Sequence, residues 1–140
     1  MSSFQKKSIS AQAAKAAISA ASAKASLMGV NMCIAITDEA GDLKAFLRMD
    51  GAAKLALGIA QDKAYTAASF GMSTDQWWEF IKDDAPLLHG ITHTPRLTAF
   101  GGGYPIKEGD DVVGAIGVSG GHYTQDMEVA QAGLQGFGAA

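Results

Sequence analysis

The sequence is short of cysteine, proline, histidine and basic charge, and each shortage narrows what the chain can be. Of its 140 residues one is a cysteine, Cys33, so no disulfide can form within it, which fits a reducing compartment. Lysine and arginine number 11 against 14 aspartate and glutamate, a net charge of −3, and there is no basic block to meet a phosphate backbone. Nucleic acid is therefore not an expected partner. No hydrophobic run reaches the roughly 20 residues that span a bilayer. The N-terminus is polar and runs into an alanine-rich amphipathic segment rather than the apolar core of a secretory signal. These features predict a cytoplasmic protein with no membrane partner. The chain also lacks a P-loop, a dinucleotide fingerprint and a zinc motif. With 48% hydrophobic and 18% charged residues it reads as one globular domain over residues 1–140.

Glycine is abundant instead, and residues 99–121 hold most of the pattern. Gly101-Gly102-Gly103 precedes a strand rather than a helix, so it is not a phosphate cradle; it lets backbone approach a neighbour or ligand closely. Ile106 to Val118 reads as two apolar runs around Glu108-Gly109-Asp110-Asp111, a hairpin, with Pro105 marking an edge or strand start. The second run is apolar on both faces and predicts a central strand. A second hairpin is expected from Asn31–Thr37 and Leu43–Met49, turning at Asp38–Asp42. Helices are predicted over Ser8–Met28, Ala52–Phe70 with Asp50 as cap, Asp75–Lys82 after a Ser73/Gln76 capping box, and Thr124–Phe137 with Thr124 as cap. The first carries an alanine stripe suited to close approach by the sheet or a second subunit. Residues 83–97 read as a loop.

Several residues are candidates for chemistry. Lys63 falls among small residues on its helix, where it either snorkels to water or pairs with a carboxylate, or else faces an anionic ligand or is desolvated enough to act as a base. Trp77, Trp78, Phe80 and Ile81 are too many large apolar groups for a free surface helix. His89 and His93 are spaced as two metal ligands on a helix would be, but Gly90 and Pro95 oppose a regular helix there; a single imidazole suffices as an axial haem ligand, and a histidine bonded to backbone is the plain alternative. Ser119 as a nucleophile needs a base, and His122 is its neighbour in sequence.

Taken together, the blocks Ile34–Leu43, Arg48–Ala52, Asp62–Ala68, Gly102–Ile106, Gly114–Gly121 and Gln125–Gly133 resemble the GlcG/HbpS-like family, the haem-degrading domain family that includes the C-terminal domain of PduO-type proteins. The resemblance covers nearly the whole chain. It implies an α/β (α+β) fold, a profilin-like sandwich with an antiparallel sheet of about five strands flanked by helices, assembled as a homo-oligomer. The family's polar signature falls on Asp38, Arg48, Asp50, Lys63, Gly102, Gly103, Ser119, Asp126 and Glu128, with Asp126 and Glu128 read as cap and dipole groups. Two functions follow as expectations. In the first, the chain binds haem, with Phe46, Trp77, Trp78 and Phe100 as walls, Arg48 or Lys63 with Gly102 and Gly103 at the propionates, and His89 or His93 on the iron, Met49 being a further candidate. In the second, it is a metal-independent small-molecule enzyme or pathway accessory in which Arg48 binds a carboxylate and Lys63 or Asp50 moves a proton beside a carbonyl.

Overall fold

Glycines, caps and alternating apolar residues delimit the elements of the fold. The structure, a computed structural model, describes residues 2–138. Helix α1 (Ala11–Met28) starts at Ser10, whose hydroxyl accepts from the Ala13 amide, and stops at left-handed Gly29. Strands β1 (Cys33–Asp38) and β2 (Leu43–Arg48) form the first hairpin. Its turn is closed by the Asp38 carboxylate, which accepts from the amides of Ala40 and Asp42. Then come α2 (Ala56–Phe70), α3 (Thr74–Ile81) and α4 (Ala85–Gly90), a 3₁₀ turn (Ile91–His93), strands β3 (Gly103–Glu108) and β4 (Asp111–Ser119), and α5 (Tyr123–Phe137).

The sheet has four strands in the order β2-β1-β4-β3, all antiparallel. These are the four strands legible as two hairpins; the family resemblance implied about five. Pro105 lies on the edge strand β3, and the apolar run of β4 is central, buried from Val113 to Ser119.

The two faces of the sheet are built differently. Ile34, Ile36, Ile116 and Val118 form a core with α1 and α5. On the opposite face Cys33, Ala35 and Ala115 meet Ala56, Ala60, Ala64 and Ala67 of α2. Small residues on both sides bring α2 close enough that a Cβ on Gly117 would overlap the Ala60 carbonyl. The alanine stripe of α1 meets α5, where a Cβ on Gly136 would stand 2.5 Å from Ala20 and 2.8 Å from the Ala16 carbonyl. The stripe is thus used within the chain.

Three expected boundaries move. Helix α2 begins at Ala56 rather than Ala52, and Asp50 caps nothing: Gly51 takes a positive φ, Ala52 N–H bonds back to Met49 in a turn, and Leu55 is an N-cap without a side-chain bond. Residues 85–90 are helical rather than loop, because Pro86 lies in the first turn, where its missing amide costs nothing, and Asp84 accepts from Leu87 N–H. The α5 cap is His122, whose ring Nδ1 accepts from Thr124 N–H, rather than Thr124.

Gly117→Ala is expected to destabilise the fold by about 1–3 kcal/mol through overpacking. Gly58→Ala, on an exposed helical site with nothing within 4 Å of a new Cβ, is expected to stabilise it slightly. Urea midpoints of the two variants check the contrast.

Candidate functional site

Lys63 projects from α2 into the interior of the fold. Its side chain has no exposed surface. Its ammonium donates to Asp126 Oδ2 at 2.9 Å and to the Val118 carbonyl at 2.8 Å, and the Phe100 ring covers it at 4.8 Å. Asp126, in the first turn of α5, is also buried, and its other oxygen accepts from Gly121 N–H at 3.0 Å. Burial pushes the Lys63 ammonium below the usual lysine range and the Asp126 carboxyl above the usual aspartate range; their mutual attraction opposes both shifts. Asp126 is therefore the carboxylate that Lys63 requires, and it does more than complement a helix dipole.

The glycine run exists to admit this pair. Gly102 has φ 129°, and a Cβ there would stand 2.7 Å from both Lys63 Nζ and the Val118 carbonyl. A Cβ on Gly103 would meet the Lys63 carbonyl at 2.5 Å, and Gly103 N–H donates to Thr74 Oγ1 at 2.9 Å. Residues 101–103 are thereby fixed among α2, α3 and α5, with Phe100 as the outer lid over the ammonium.

Outside that lid lies a cleft of about 890 Å³ between α3, α4, the segment 97–101 and the start of α5. Trp78, Ile81, Leu88, Leu97, Phe100 and Met127 supply apolar wall; Asp75, Glu79, Thr92, Thr98, Tyr123 and Thr124 supply polar groups. Trp78, Phe100 and Tyr123 each remain nearly half exposed. Among the described residues no lysine, arginine or histidine lines the cleft. Burial, and behind it the Asp75 charge, pushes the Tyr104 phenol up.

The remaining sequence candidates are dispersed. Arg48 and Asp50 are exposed at the end of β2, the edge strand opposite β3, and among the described residues no hydrogen bond or ion pair joins either to Lys63. Arg48 pairs in register with Cys33, and Cys33 with Ser119; burial raises the Cys33 thiol and the Arg48 charge pulls it partly back. Trp77 is buried against Phe70 and Phe80 and does not line the cleft. His89 and His93 are exposed, and each directly follows a residue, Leu88 and Thr92, that does line it. Among the described residues no group of three or more His, Cys, Asp or Glu side chains is placed to hold a metal ion.

Gly117-Val118-Ser119-Gly120-Gly121 has the spacing of a nucleophile elbow and sits at a strand-to-helix turn. The strained geometry is missing, however, since Ser119 has no positive φ, and the His122 ring bonds Thr124 at 2.9 Å. The cleft residues Asp75 and Met127 carried no sequence signal beyond their places in predicted helices, and Tyr123, one residue ahead of a predicted helix, carried none. They converge only once α3 and α5 are folded against the glycine run.

A family model described as haem degrading protein, HbpS-like, matches residues 9–135. An uncharacterised 15.0 kDa protein from the dhaT–dhaS intergenic region of Citrobacter freundii is 34% identical over 130 residues, 92% of each chain. Among solved structures, the Klebsiella pneumoniae protein ORFY superposes with a TM-score of 0.92 at 31% identity, covering 100% of this chain and 97% of that one. A PduOC–haem complex superposes with a TM-score of 0.85 at 27% identity, covering 92% of this chain and 94% of that one.

Lys63→Met leaves a buried carboxylate unpaired and is expected to cost about 3–5 kcal/mol of stability. Lys63→Met with Asp126→Leu is expected to recover much of that loss. Chemical denaturation of the single and double variants measures both. A Lys63→Met protein of unchanged stability would show that the pair does not hold the fold.

Proposed function

The chain belongs to the HbpS-like family of haem-degrading proteins, and on that premise we propose that it binds haem in the cleft between α3, α4 and α5. The observation that carries this reading is the cleft itself, about 890 Å³ with the aromatic rings of Trp78, Phe100 and Tyr123 on its walls, at the upper end of the roughly 300–1,000 Å³ of small-molecule sites. An open, aromatic slot suits a flat apolar macrocycle, and the similar fold of PduOC holds haem. Bound haem would supply an iron centre. Trp78, Leu88, Leu97 and Phe100 would hold the ring, and His89 or His93, each one residue beyond a cleft-lining position, would approach the iron.

The propionates have no partner inside. Lys63 is occupied by Asp126, and Arg48 stands on the far edge strand, so neither would hold the carboxylates of a bound haem. The same facts weigh against a metal-independent enzyme built on Arg48, Asp50 and Lys63, because those groups do not converge. The reading includes a cytoplasmic homo-oligomer. Its support is the edge strand β2, with unpaired backbone groups along one side, and the exposed side chains of Leu27, Leu43 and Leu55.

Haemin titration followed by absorbance is expected to show a saturable Soret band near one haem per chain. Trp78→Ala is expected to weaken binding by roughly tenfold, as loss of an aromatic wall worth about 1.4 kcal/mol would. Loss of the band in His89→Ala or His93→Ala names the iron ligand. An unaltered spectrum in both overturns histidine ligation, and no saturable binding overturns the haem reading. Light scattering at micromolar concentration is expected to give more than a monomer's mass; a clean monomer counts against assembly.

A further inference from the structure

The cleft offers a ligand only one kind of charge. Its ionisable lining consists of Asp75 and Glu79 together with the Tyr123 phenol, and no cationic side chain lies among them. Glu79 is already engaged, since its carboxylate receives the Lys82 ammonium at 2.5 Å. Asp75 is not. Its Oδ1 is shut off from water and accepts no hydrogen bond, while its neighbours on α3 are both in use, Thr74 with Gly103 N–H and Gln76 with Ser73 N–H. Folded proteins leave few carboxylates without a donor, so Asp75, a half-buried lining residue with no hydrogen bond among the described residues, is the one acid of the cleft that the chain leaves unpaired. Asp75 also stands against the glycine run at the cleft floor: a Cβ on Gly101 would come within 3.6 Å of its own.

We propose that this cleft takes an organic cation, an aromatic or alicyclic body lying between Trp78, Phe100 and Tyr123 whose protonated amine donates to Asp75. The chemistry is complementary on both counts. Aromatic faces attract a cation, and an ammonium–carboxylate hydrogen bond is charge-assisted. A ligand carboxylate directed to the same floor meets a like charge and no cationic donor. The inference rests on the cleft and on Asp75, with no iron or imidazole involved, so it stands or falls separately from haem binding.

The test is a calorimetric and tryptophan-fluorescence titration of the full chain at pH 7 with two probes of similar size and opposite charge, phenethylamine and 3-phenylpropionate. The expected result is saturable binding of phenethylamine at one per chain, at least about tenfold tighter than 3-phenylpropionate. Asp75→Asn, checked for folding by circular dichroism, is expected to weaken phenethylamine by about tenfold, a change of about 1.4 kcal/mol, and to leave the neutral probe 2-phenylethanol unchanged. Equal binding of the two charged probes, preference for the carboxylate, or no saturable binding of the amine overturns the proposal. So does a folded Asp75→Asn protein with undiminished amine affinity. Should that variant fail to fold, the comparison of probes on the unmodified chain decides alone. A chain that binds haemin but not phenethylamine retains the haem reading and loses this one; the reverse result does the opposite.

Discussion

The buried ion pair between Lys63 and Asp126 is the constraint to which the surrounding chain conforms. Two charges out of water are tolerated only when each is fully engaged, and here the ammonium has a carboxylate, a carbonyl and a ring face, while the carboxylate has an ammonium and a backbone amide. Lys63 belongs to the helix on one face of the sheet and Asp126 to a helix of the other layer. The pair therefore fastens the two layers at the end of β4. Glycines at 102 and 103 are the condition for it, because any side chain there would occupy the space of the ammonium or of the α2 backbone. Phe100, which closes the space, is at the same time wall to the cleft outside. One polar contact thus fixes both the inside of the fold and the floor of its binding surface.

The closeness of α2 to the sheet has a similar logic. Alanine on the helix and alanine or glycine on the strands exchange side-chain volume for short backbone separation, so the α2 layer gains its stability from tight contact rather than from large apolar groups. The buried isoleucines and valines of the sheet are committed to the other face, with α1 and α5.

Much of this was legible from residue order. Both hairpins announced themselves through Asp38–Gly41 and Gly109, the helix ends through Gly29 and Gly71, and the central place of β4 through apolar residues on both of its faces. Lys63 was visibly out of place among small residues. Its partner was not identifiable, because Asp126 lies 63 positions away and also satisfies the local rule for an acid in a first helical turn. Helix α4 was hidden by Pro86 and Gly90, residues that break a helix interior but are tolerated at its ends. The cleft was visible only in part: Trp78 and Phe100 were expected as ligand walls, but the separate segments that close it carry no shared motif. Arg48, Asp50 and Lys63 lie close in sequence, but a strand end and a helix interior carry their side chains to different places.

The pairing of α1 with α5 has a consequence for how the chain comes to be folded. Helix α1 is synthesised well before its main partner, α5, and β1 waits for β4 as well, so these contacts close long loops. Such long-range closure is slow relative to local hairpin formation. Until α5 emerges, the face of α1 that will be buried is solvent-facing. A face of leucine or phenylalanine left open for that time would invite association with other nascent chains. A face of alanine offers little to adhere to, and so the residue type that permits close packing at the end of folding also keeps the unfinished chain quiet at its beginning.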